Sequence, residues 1–305
     1  MFTQEEIWLN YVLGNELDVA GTLIFEGLEH IASLKIISNA DEVFSILYYL
    51  SQGFERLVKI ASLIADENPR SKMKEIKGHK TNRKFEEDLS KNISIGKEHK
   101  ELLNLVSDFY EKRYNHIDYG AKSSDTRIDY PNGDFSMYPN MLREYVERFC
   151  TKHIELKSDG LKEHMRCNMG VKRFLHLVIK ELAKKIYEYI HDNSLRKNLY
   201  TYELCSDSKA FYVFLGKDDN LLRNKVAIYE LLLYAMKGKG FEDSTVTDGM
   251  EPLELDMQNI KEIVGSINSK TCIYDVLDAI DAQIEDMAHE QRKNRLLIHS
   301  YILED

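Results

Sequence analysis

Two arginines and a histidine recur at helical spacing close to the end of the sequence. They belong to a stripe of five side chains, whose successive intervals are four, four, three and four residues. These intervals place all five on one face of an α-helix. The stripe begins apolar and ends in two guanidinium groups and an imidazole, with Asn294 beside them. Its members are Ile284, Ala288, Arg292, Arg295 and His299. The pattern predicts that one closing helix over about 271–300 brings the cationic groups together.

A similar arrangement ends the helix predicted over 97–117. Apolar residues lead in register to Arg113 and His116, and Asn115 lies between the two. For both segments the ordinary alternative is a helix C-terminus, where basic side chains interact favourably with the helix dipole. Arg113, Asn115 and His116 are therefore supporting candidates, and the C-terminal stripe is the principal one.

Arginine and histidine together can cleave RNA without a metal ion. An imidazole titrates near neutral pH, so it can accept the proton of a ribose 2′-hydroxyl or protonate the leaving oxygen. A guanidinium is permanently charged and binds phosphate oxygens in a forked geometry, which suits a phosphorane transition state. This chemistry needs no cofactor, and we predict none. The sequence contains no GxSxG, P-loop or HExxH motif, which argues against serine hydrolases, P-loop NTPases and zincins.

The closing segment resembles the metal-independent ribonucleases of the HEPN superfamily, helical bundles found in nucleotide-processing, toxin and defence proteins. Their motif is an arginine, four to six intervening residues and a histidine, often with an asparagine near the arginine. Here six residues separate Arg292 from His299, and Asn294 stands one place later than in the commonest form. The resemblance implies an endoribonuclease of toxin or phage-defence type, with His299 as general acid or base. It also implies that Arg292 and Arg295 stabilise the phosphorane and that Asn294 orients the site.

The first half of the chain resembles other HEPN bundles over residues 40–120. The segments QGFERLVK at 52–59, KGHK at 77–80 and FYEKRY at 109–114 look like their helix-two signature, the start of their third helix and their Y…RY ending. Only two residues separate Arg113 from His116, fewer than the nuclease motif requires. The resemblance therefore admits an alternative function, a non-catalytic module that binds a nucleotide, an RNA or a partner protein.

A short internal repeat connects the two segments that carry arginine and histidine. Glu111–Asn115 and Glu290–Asn294 both read E-x-R-x-N, and each is followed by a histidine and then a tyrosine. HEPN nucleases place two such motifs across a two-fold interface. The resemblance thus implies a homodimer or an intrachain pseudo-dimer with a composite cleft. A toxin role would add an antitoxin or a regulatory protein as partner.

The densest run of bases lies at 70–84, where seven bases accompany one acid. A solvated loop is the ordinary explanation, but the run is also a basic patch that could meet RNA phosphates. The RNA-binding candidates in it are Lys72, Lys74, Lys77, Lys80, Arg83 and Lys84. The whole chain has 41 bases and 51 acids, a net charge of −10, which argues against holding duplex nucleic acid by bulk attraction. Any RNA contact must therefore be local.

Two cysteine–histidine pairs could close a zinc site. Cys150 and His153 precede the predicted turn at 158–160, and His164 and Cys167 follow it, so the pairs would lie at similar heights on a helical hairpin. Isolated cysteines and histidines on amphipathic helices are usually packing residues, so we predict no metal site. The four cysteines are too few and too scattered for a disulfide framework, which predicts a reducing, cytoplasmic compartment.

Helices must position these residues. Only 4 prolines and 15 glycines occur in 305 residues, too little turn punctuation for an all-β chain. The clearest helical periodicity runs over 41–65. We predict an all-α fold of two up-and-down, HEPN-like bundles at 1–120 and 141–305, joined by an irregular connector at 121–140.

Two segments of the second domain are expected to depart from helix. The aromatic and β-branched run AFYVFL at 210–215 predicts a short strand, which would form a hairpin with 200–204. The stretch 240–260 holds six acids and no base, which predicts a solvated loop leading into a helix. No segment is apolar and long enough to predict a membrane span.

Overall fold

The computed structural model forms two compact units, Met1–Leu215 and Gly216–Asp305. The predicted all-α class is confirmed, because the regular structure of the described residues is helical apart from one short hairpin. No helix among these residues has the length and apolar character that crossing a membrane requires. The residues that the structure describes are 4–76, 89, 92–112, 137–158, 163–197, 199, 209–215, 220–237, 251–269 and 274–304.

The first unit is a helical bundle with a π-helical turn near its start and a hairpin between its later helices. Its helices are α1 (Gln4–Ile7), α2 (Leu13–Ser33), α3 (Ala40–Ala65), α4 (Pro69–Ile76), α5 (Lys97–Lys112), α6 (Met137–Phe149), α7 (Met169–Arg196) and α8 (Lys209–Leu215). The π-helical turn (Trp8–Val12) joins α1 to α2, and a 3₁₀ turn (Thr151–His153) precedes strands β1 (Leu156–Ser158) and β2 (Glu163–Met165).

Close packing of α2 on α3 forms one side of the first unit. Both helices carry apolar residues at three- and four-residue spacing, and these faces are buried together. A Cβ atom at Gly27 would lie 2.7 Å from Leu50 Cδ2, and one at Gly53 would lie 2.6 Å from Ile24 Cγ1. The two glycines therefore allow the helix backbones to approach more closely than any other residue would permit.

α7 is the longest helix of the first unit that the structure describes. It packs against α2, α3, α5 and α8, and its residues are buried except along a narrow exposed stripe. The stripe consists of Arg173, Leu177, Glu181, Lys184, Glu188, Asp192 and Leu195, and Arg196 at the end of the helix is exposed as well. α7 begins at Met169, where the Asn168 side chain caps it by accepting a hydrogen bond from the Val171 N–H at 3.0 Å.

The β-hairpin of the first unit lies at 156–165. β1 and β2 pair antiparallel, and the link between α2 and α3 extends the ladder. There the Ile37 N–H donates to the Met165 carbonyl at 3.0 Å, and the Cys167 N–H donates to the Lys35 carbonyl at 2.9 Å. These bonds tie the middle of the chain to its first helices.

The predicted strand at 210–215 is wrong, because these residues belong to helix α8. Ala210, Val213 and Phe214 are buried, at a spacing of three and four residues that a helix face produces. The Phe214 ring meets the ring of Tyr187 on α7 at a centroid distance of 6.2 Å. Packing on α7 thus overrides the strand preference of aromatic and β-branched residues. The proposed partner, 200–204, lies outside the described residues.

The chain divides into compact units after Leu215, whereas the sequence analysis predicts a connector at 121–140. Helix α6 begins within that connector, at Met137, and packs on α3 and α5. The ring of Phe44 meets Phe109 and Tyr138 at centroid distances of 5.3 and 5.2 Å, so one aromatic cluster joins the three helices. Most of the predicted connector lies outside the described residues.

The second unit contains four described helices, α9 (Asn220–Lys237), α10 (Met257–Ser269), α11 (Tyr274–Glu285) and α12 (His289–Glu304). Its core consists of Ala227, Leu253, Leu255, Ile263, Val276, Leu277, Ile280 and Ile284. Two of these belong to the predicted acidic loop, and the Glu254 backbone bonds the Gln283 side chain at 3.0 and 2.9 Å. Residues 251–256 form an irregular segment that leads into α10, as predicted, but Leu253 and Leu255 are buried in the core, so the segment is not fully solvated. Residues 240–250 lie outside the described residues.

The predicted single closing helix is two helices, α11 and α12, separated by residues 286–288. Within this break the Met287 N–H donates to the Ile284 carbonyl at 3.3 Å, which closes the end of α11 with a tighter turn. Ile284 and Ala288 therefore do not continue the stripe of α12. The stripe on α12 is reduced to Arg292, Arg295 and His299.

Candidate functional site

A buried cluster of one acid, one arginine and one histidine joins α9 to α12 in the second unit. Glu230 Oε1 accepts hydrogen bonds from Arg295 Nε at 2.8 Å and from His299 Nε2 at 2.7 Å. Its second oxygen, Oε2, accepts from Arg295 Nη2 at 2.9 Å. The arginine is therefore bidentate on the carboxylate, and the imidazole shares one of the two oxygens.

Arg295 makes two further contacts within the second unit. Nη2 also donates to the Glu251 carbonyl at 2.9 Å, and Nη1 approaches the Met287 sulfur at 3.6 Å. All three nitrogens of the guanidinium are thus engaged by the protein itself. The structure places Arg295 as the centre of an internal network, and its guanidinium is not presented to a phosphate.

Burial makes the charges of this cluster interdependent. The exposed fractions are 0% for Glu230, 3% for Arg295 and 6% for His299. Burial alone raises the pKa of the Glu230 carboxyl, but the hydrogen bonds and charges of His299 and Arg295 outweigh it and hold that pKa below its ordinary value. A buried carboxylate of this kind is stable only with its partners in place.

The pattern of apolar residues on α9 indicates that Glu230 is buried, whereas the spacing of arginine and histidine on α12 does not indicate it. Val226, Ala227 and Leu233 are buried on α9, and Glu230 occupies the same stripe at four- and three-residue intervals. A lone acid on an apolar stripe predicts a buried cationic partner. The partner stands 65 residues later, so local spacing cannot identify it.

Arg292 and Asn294 lie on the exposed part of α12. Arg292 is seven residues before His299, roughly two helical turns, so the two share a stripe. Asn294 lies about 200° around the helix from Arg292, which places it on the opposite side. The helix therefore brings Arg292, Arg295 and His299 to one face but does not bring Asn294 to them.

The other predicted site residues fall mostly outside the described chain. Arg113, Asn115, His116, Lys77, Lys80, Arg83 and Lys84 all lie there. Of the basic run, the structure describes Lys72 as half-buried and Lys74 as exposed, both on α4. The supporting arginine–histidine pair and most of the basic patch stay predictions.

The cysteine and histidine pairs do not meet as a metal centre in the described residues, which hold no group of three or more histidine, cysteine, aspartate or glutamate side chains placed to bind a metal. Cys150 and Cys167 are buried, and burial raises the pKa of the Cys167 thiol to about 12. His164 Nδ1 forms a hydrogen bond with the Ser38 hydroxyl at 2.7 Å. Buried free cysteines usually behave as small apolar packing residues, which favours that role for Cys150 and Cys167.

His176, which the sequence analysis did not select, is fully enclosed in the first unit. Its Nε2–H donates to the Leu28 carbonyl on α2 at 3.0 Å, and Nδ1 has no hydrogen-bond partner within the described chain. Burial lowers the pKa of His176 to about 3, with Lys180 and Lys172 contributing in the same direction. The imidazole is therefore neutral at physiological pH and ties α7 to α2.

A cleft of about 340 Å³ lies between α5 and α6. Carboxylates of Glu101, Asp108 and Glu144 line it, and Arg148 pairs with Glu101 at 3.3 Å. The lining thus has more acids than bases and would repel phosphate. This cleft does not suit RNA.

The cluster on α9 and α12 is the arrangement best suited to acid–base chemistry among the described residues. A carboxylate fixes one imidazole nitrogen, which leaves the other ring nitrogen to exchange protons. An exposed guanidinium lies on the same helical stripe and could contact a phosphate. Comparison of the chain with protein-family models, curated proteins and solved structures found no match.

Proposed function

We propose that the second unit carries the site of a metal-independent endoribonuclease, in which His299 transfers protons and Arg292 contacts phosphate. The observation that supports this most is the hydrogen bond of 2.7 Å between His299 Nε2 and the buried Glu230 carboxylate. A carboxylate that orients an imidazole is a recurrent element of acid–base catalysis. The exposed position of Arg292 on the same stripe adds a permanent positive charge.

The proposed reaction is attack of a ribose 2′-oxygen on the adjacent phosphorus. One imidazole accepts the 2′-hydroxyl proton, the 2′-oxygen–phosphorus bond forms, and the phosphorus–5′-oxygen bond breaks. The leaving 5′-oxygen takes a proton from a second acid, so the products are a 2′,3′-cyclic phosphate and a 5′-hydroxyl. A second copy of the chain in a homodimer would supply that second imidazole, as the HEPN resemblance implies.

The roles proposed for Arg295 and Asn294 differ from those that the HEPN resemblance implies. Arg295 holds Glu230 in place and does not bind phosphate, because its nitrogens bond Glu230, Glu251 and Met287. Asn294 is not a member of the proposed site, since it points away from the stripe. Lys72 and Lys74, which lie on α4 of the first unit, stay candidates for a separate weak contact with RNA phosphates.

Incubation of the purified full chain with RNA in EDTA tests the proposal. We expect cleavage with 2′,3′-cyclic phosphate ends, and a loss of at least about 100-fold in the His299→Ala variant. Arg292→Ala should lose about tenfold or more. Lys293→Ala is the matched control, because this exposed neighbour removes the same charge from the same turn of α12. Equal activity in all four proteins would contradict the proposal.

The second candidate function is a non-catalytic module that binds RNA, a nucleotide or a partner protein. The observation that favours it is the burial of His299, which is 6% exposed and leaves little of the imidazole for a substrate. In this case the cluster only stabilises the second unit. Fluorescence anisotropy with labelled RNA distinguishes the two: binding without cleavage in EDTA supports the module.

The HEPN resemblance supports a place among toxin or phage-defence proteins, a cytoplasmic location and an antitoxin or regulatory partner. Induced expression of such a ribonuclease should arrest bacterial growth. We expect the His299→Ala variant, produced at the same level, to relieve the arrest. Arrest by both proteins would contradict the toxin proposal.

A further inference from the structure

We infer that Glu230 is a positioning residue that fixes the tautomer of His299, so that Nδ1 is the ring atom that exchanges the proton in the reaction. This inference rests on the proposed function and deepens it. It names a residue outside the Arg–His motif and the single atom through which His299 would act.

The hydrogen bond between Glu230 and His299 has a defined direction. Glu230 Oε1 lies 2.7 Å from His299 Nε2. Glu230 is bonded on both oxygens by the Arg295 guanidinium, so it is an ionised carboxylate, which can only accept. The proton therefore stays on Nε2. In a neutral imidazole with Nε2 protonated, the lone pair is on Nδ1.

The Glu230 carboxylate is held rigidly in place. Arg295 grips both oxygens of Glu230, and it is itself anchored to the Glu251 carbonyl at 2.9 Å. Glu230 is fully buried, so water does not compete for its oxygens. The imidazole is thus attached to a carboxylate that cannot turn away.

Among the described residues, groups on both α9 and α12 face His299. Glu230 approaches from α9, and Arg295 lies one turn earlier on α12 itself. The ring of Tyr229 meets the imidazole edge-on, at a centroid distance of 6.4 Å and an interplanar angle of 85°. The hydrogen bond and the ring contact together fix both the position and the plane of the imidazole, which a proton-transfer group requires.

Nitrogen NMR of the whole protein, labelled with ¹⁵N in histidine, tests the tautomer directly. His299→Gln identifies the signals of His299 by their loss. We expect the neutral imidazole to carry its proton on Nε2. A predominant Nδ1–H tautomer would overturn the inference. This measurement uses the unaltered chain and does not depend on any RNA cleavage.

The kinetic test compares Glu230→Gln with Glu285→Gln, an exposed glutamate on α11 of the same unit. Glutamine keeps the shape of Glu230 but presents an amide that can donate or accept, so it no longer fixes the tautomer. We expect kcat to fall at least tenfold with KM within about twofold, and the NMR spectrum to show a mixture of tautomers. Glu285→Gln should match the parent.

The outcomes separate the inference from the proposed function. Unchanged kcat in a folded Glu230→Gln variant overturns the positioning role, even though the ribonuclease proposal stands. Absence of cleavage by the parent overturns the ribonuclease proposal, while the NMR spectrum still decides whether Glu230 fixes the tautomer. Circular dichroism shows whether the Glu230→Gln variant is folded. If it is not folded, the tautomer of His299 in the parent protein decides whether the inference holds.

Discussion

At the scale of single residues, Glu230 links stability and chemistry in the second unit. Its carboxylate lies on an apolar stripe of α9 and needs Arg295 and His299 to remain ionised there. The same bonds that satisfy a buried charge also orient the imidazole. Spacing within α12 indicated Arg295 and His299, but only the folded chain shows that they share one acid.

Loss of Arg295 should destabilise the second unit. Arg295→Met leaves the buried carboxylate with a single partner, and we expect the free energy of unfolding to fall by about 3–5 kcal/mol. Arg292→Met, an exposed change on the same helix, should stay within about 0.5 kcal/mol. Urea unfolding followed by circular dichroism measures both. Equal losses would show that Arg295 does not stabilise Glu230.

Acid should destabilise the first unit through His176. Its pKa is about 3 when folded and 6.5 when exposed, so the unfolded chain binds more protons between these values. The contribution of neutral His176 to the free energy of unfolding is therefore fully present above pH 6.5. It decreases as the pH drops towards 3, by up to about 1.4 kcal/mol per pH unit. In His176→Gln, which keeps an N–H donor for the Leu28 carbonyl, this contribution disappears. Identical slopes of unfolding free energy against pH in parent and variant would refute it.

At the scale of elements, periodicity predicts helix α3 to within one residue. Residues 41–65 were predicted and α3 is Ala40–Ala65, because a wide apolar face on one side and polar residues on the other leave little ambiguity. The break at 286–288 was not predicted, since it contains neither glycine nor proline. AFYVFL was misassigned because its composition favours a strand, while burial against α7 selects a helix.

Glycine to alanine changes should have opposite effects in the two units. A Cβ at Gly53 would lie 2.6 Å from Ile24 Cγ1 and 3.1 Å from the Ile24 backbone nitrogen, so Gly53→Ala should cost about 1–3 kcal/mol. At Gly265 in α10 no atom of the described residues outside the helix's own turn lies within 4 Å of the added atom. Gly265→Ala should therefore stabilise the helix by about 0.5–1 kcal/mol. Thermal unfolding of both variants measures the difference, and a stabilising Gly53→Ala would contradict the close packing of α2 and α3.

At the scale of the whole molecule, the extent of each compact unit depends on which helices pack together, and the sequence pattern does not show this. The predicted boundary at 121–140 relied on clustered glycine and proline, which mark an irregular segment but do not show what packs on either side of it. α7, which lies beyond that segment, packs on α2, α3 and α5 of the first unit. A net charge of −10 likewise says little about one small site, because the cluster on α12 is local.

Fragments of the chain test where the first unit ends. The fragment 1–215 retains α7, and we expect it to unfold cooperatively on heating. The fragment 1–120, which ends at the predicted boundary, lacks α6 and α7 and exposes the apolar faces of α2 and α3. It should show no cooperative transition by circular dichroism. A cooperative transition in 1–120 would support the boundary predicted from the sequence.

Analysis of the RNA ends produced in EDTA tests the central claim most directly. The full chain should release fragments that end in 2′,3′-cyclic phosphate and begin with 5′-hydroxyl, while His299→Ala under the same conditions should release none above background. Intact RNA with the parent protein, or the same fragments with His299→Ala, would contradict the assignment of His299 to proton transfer.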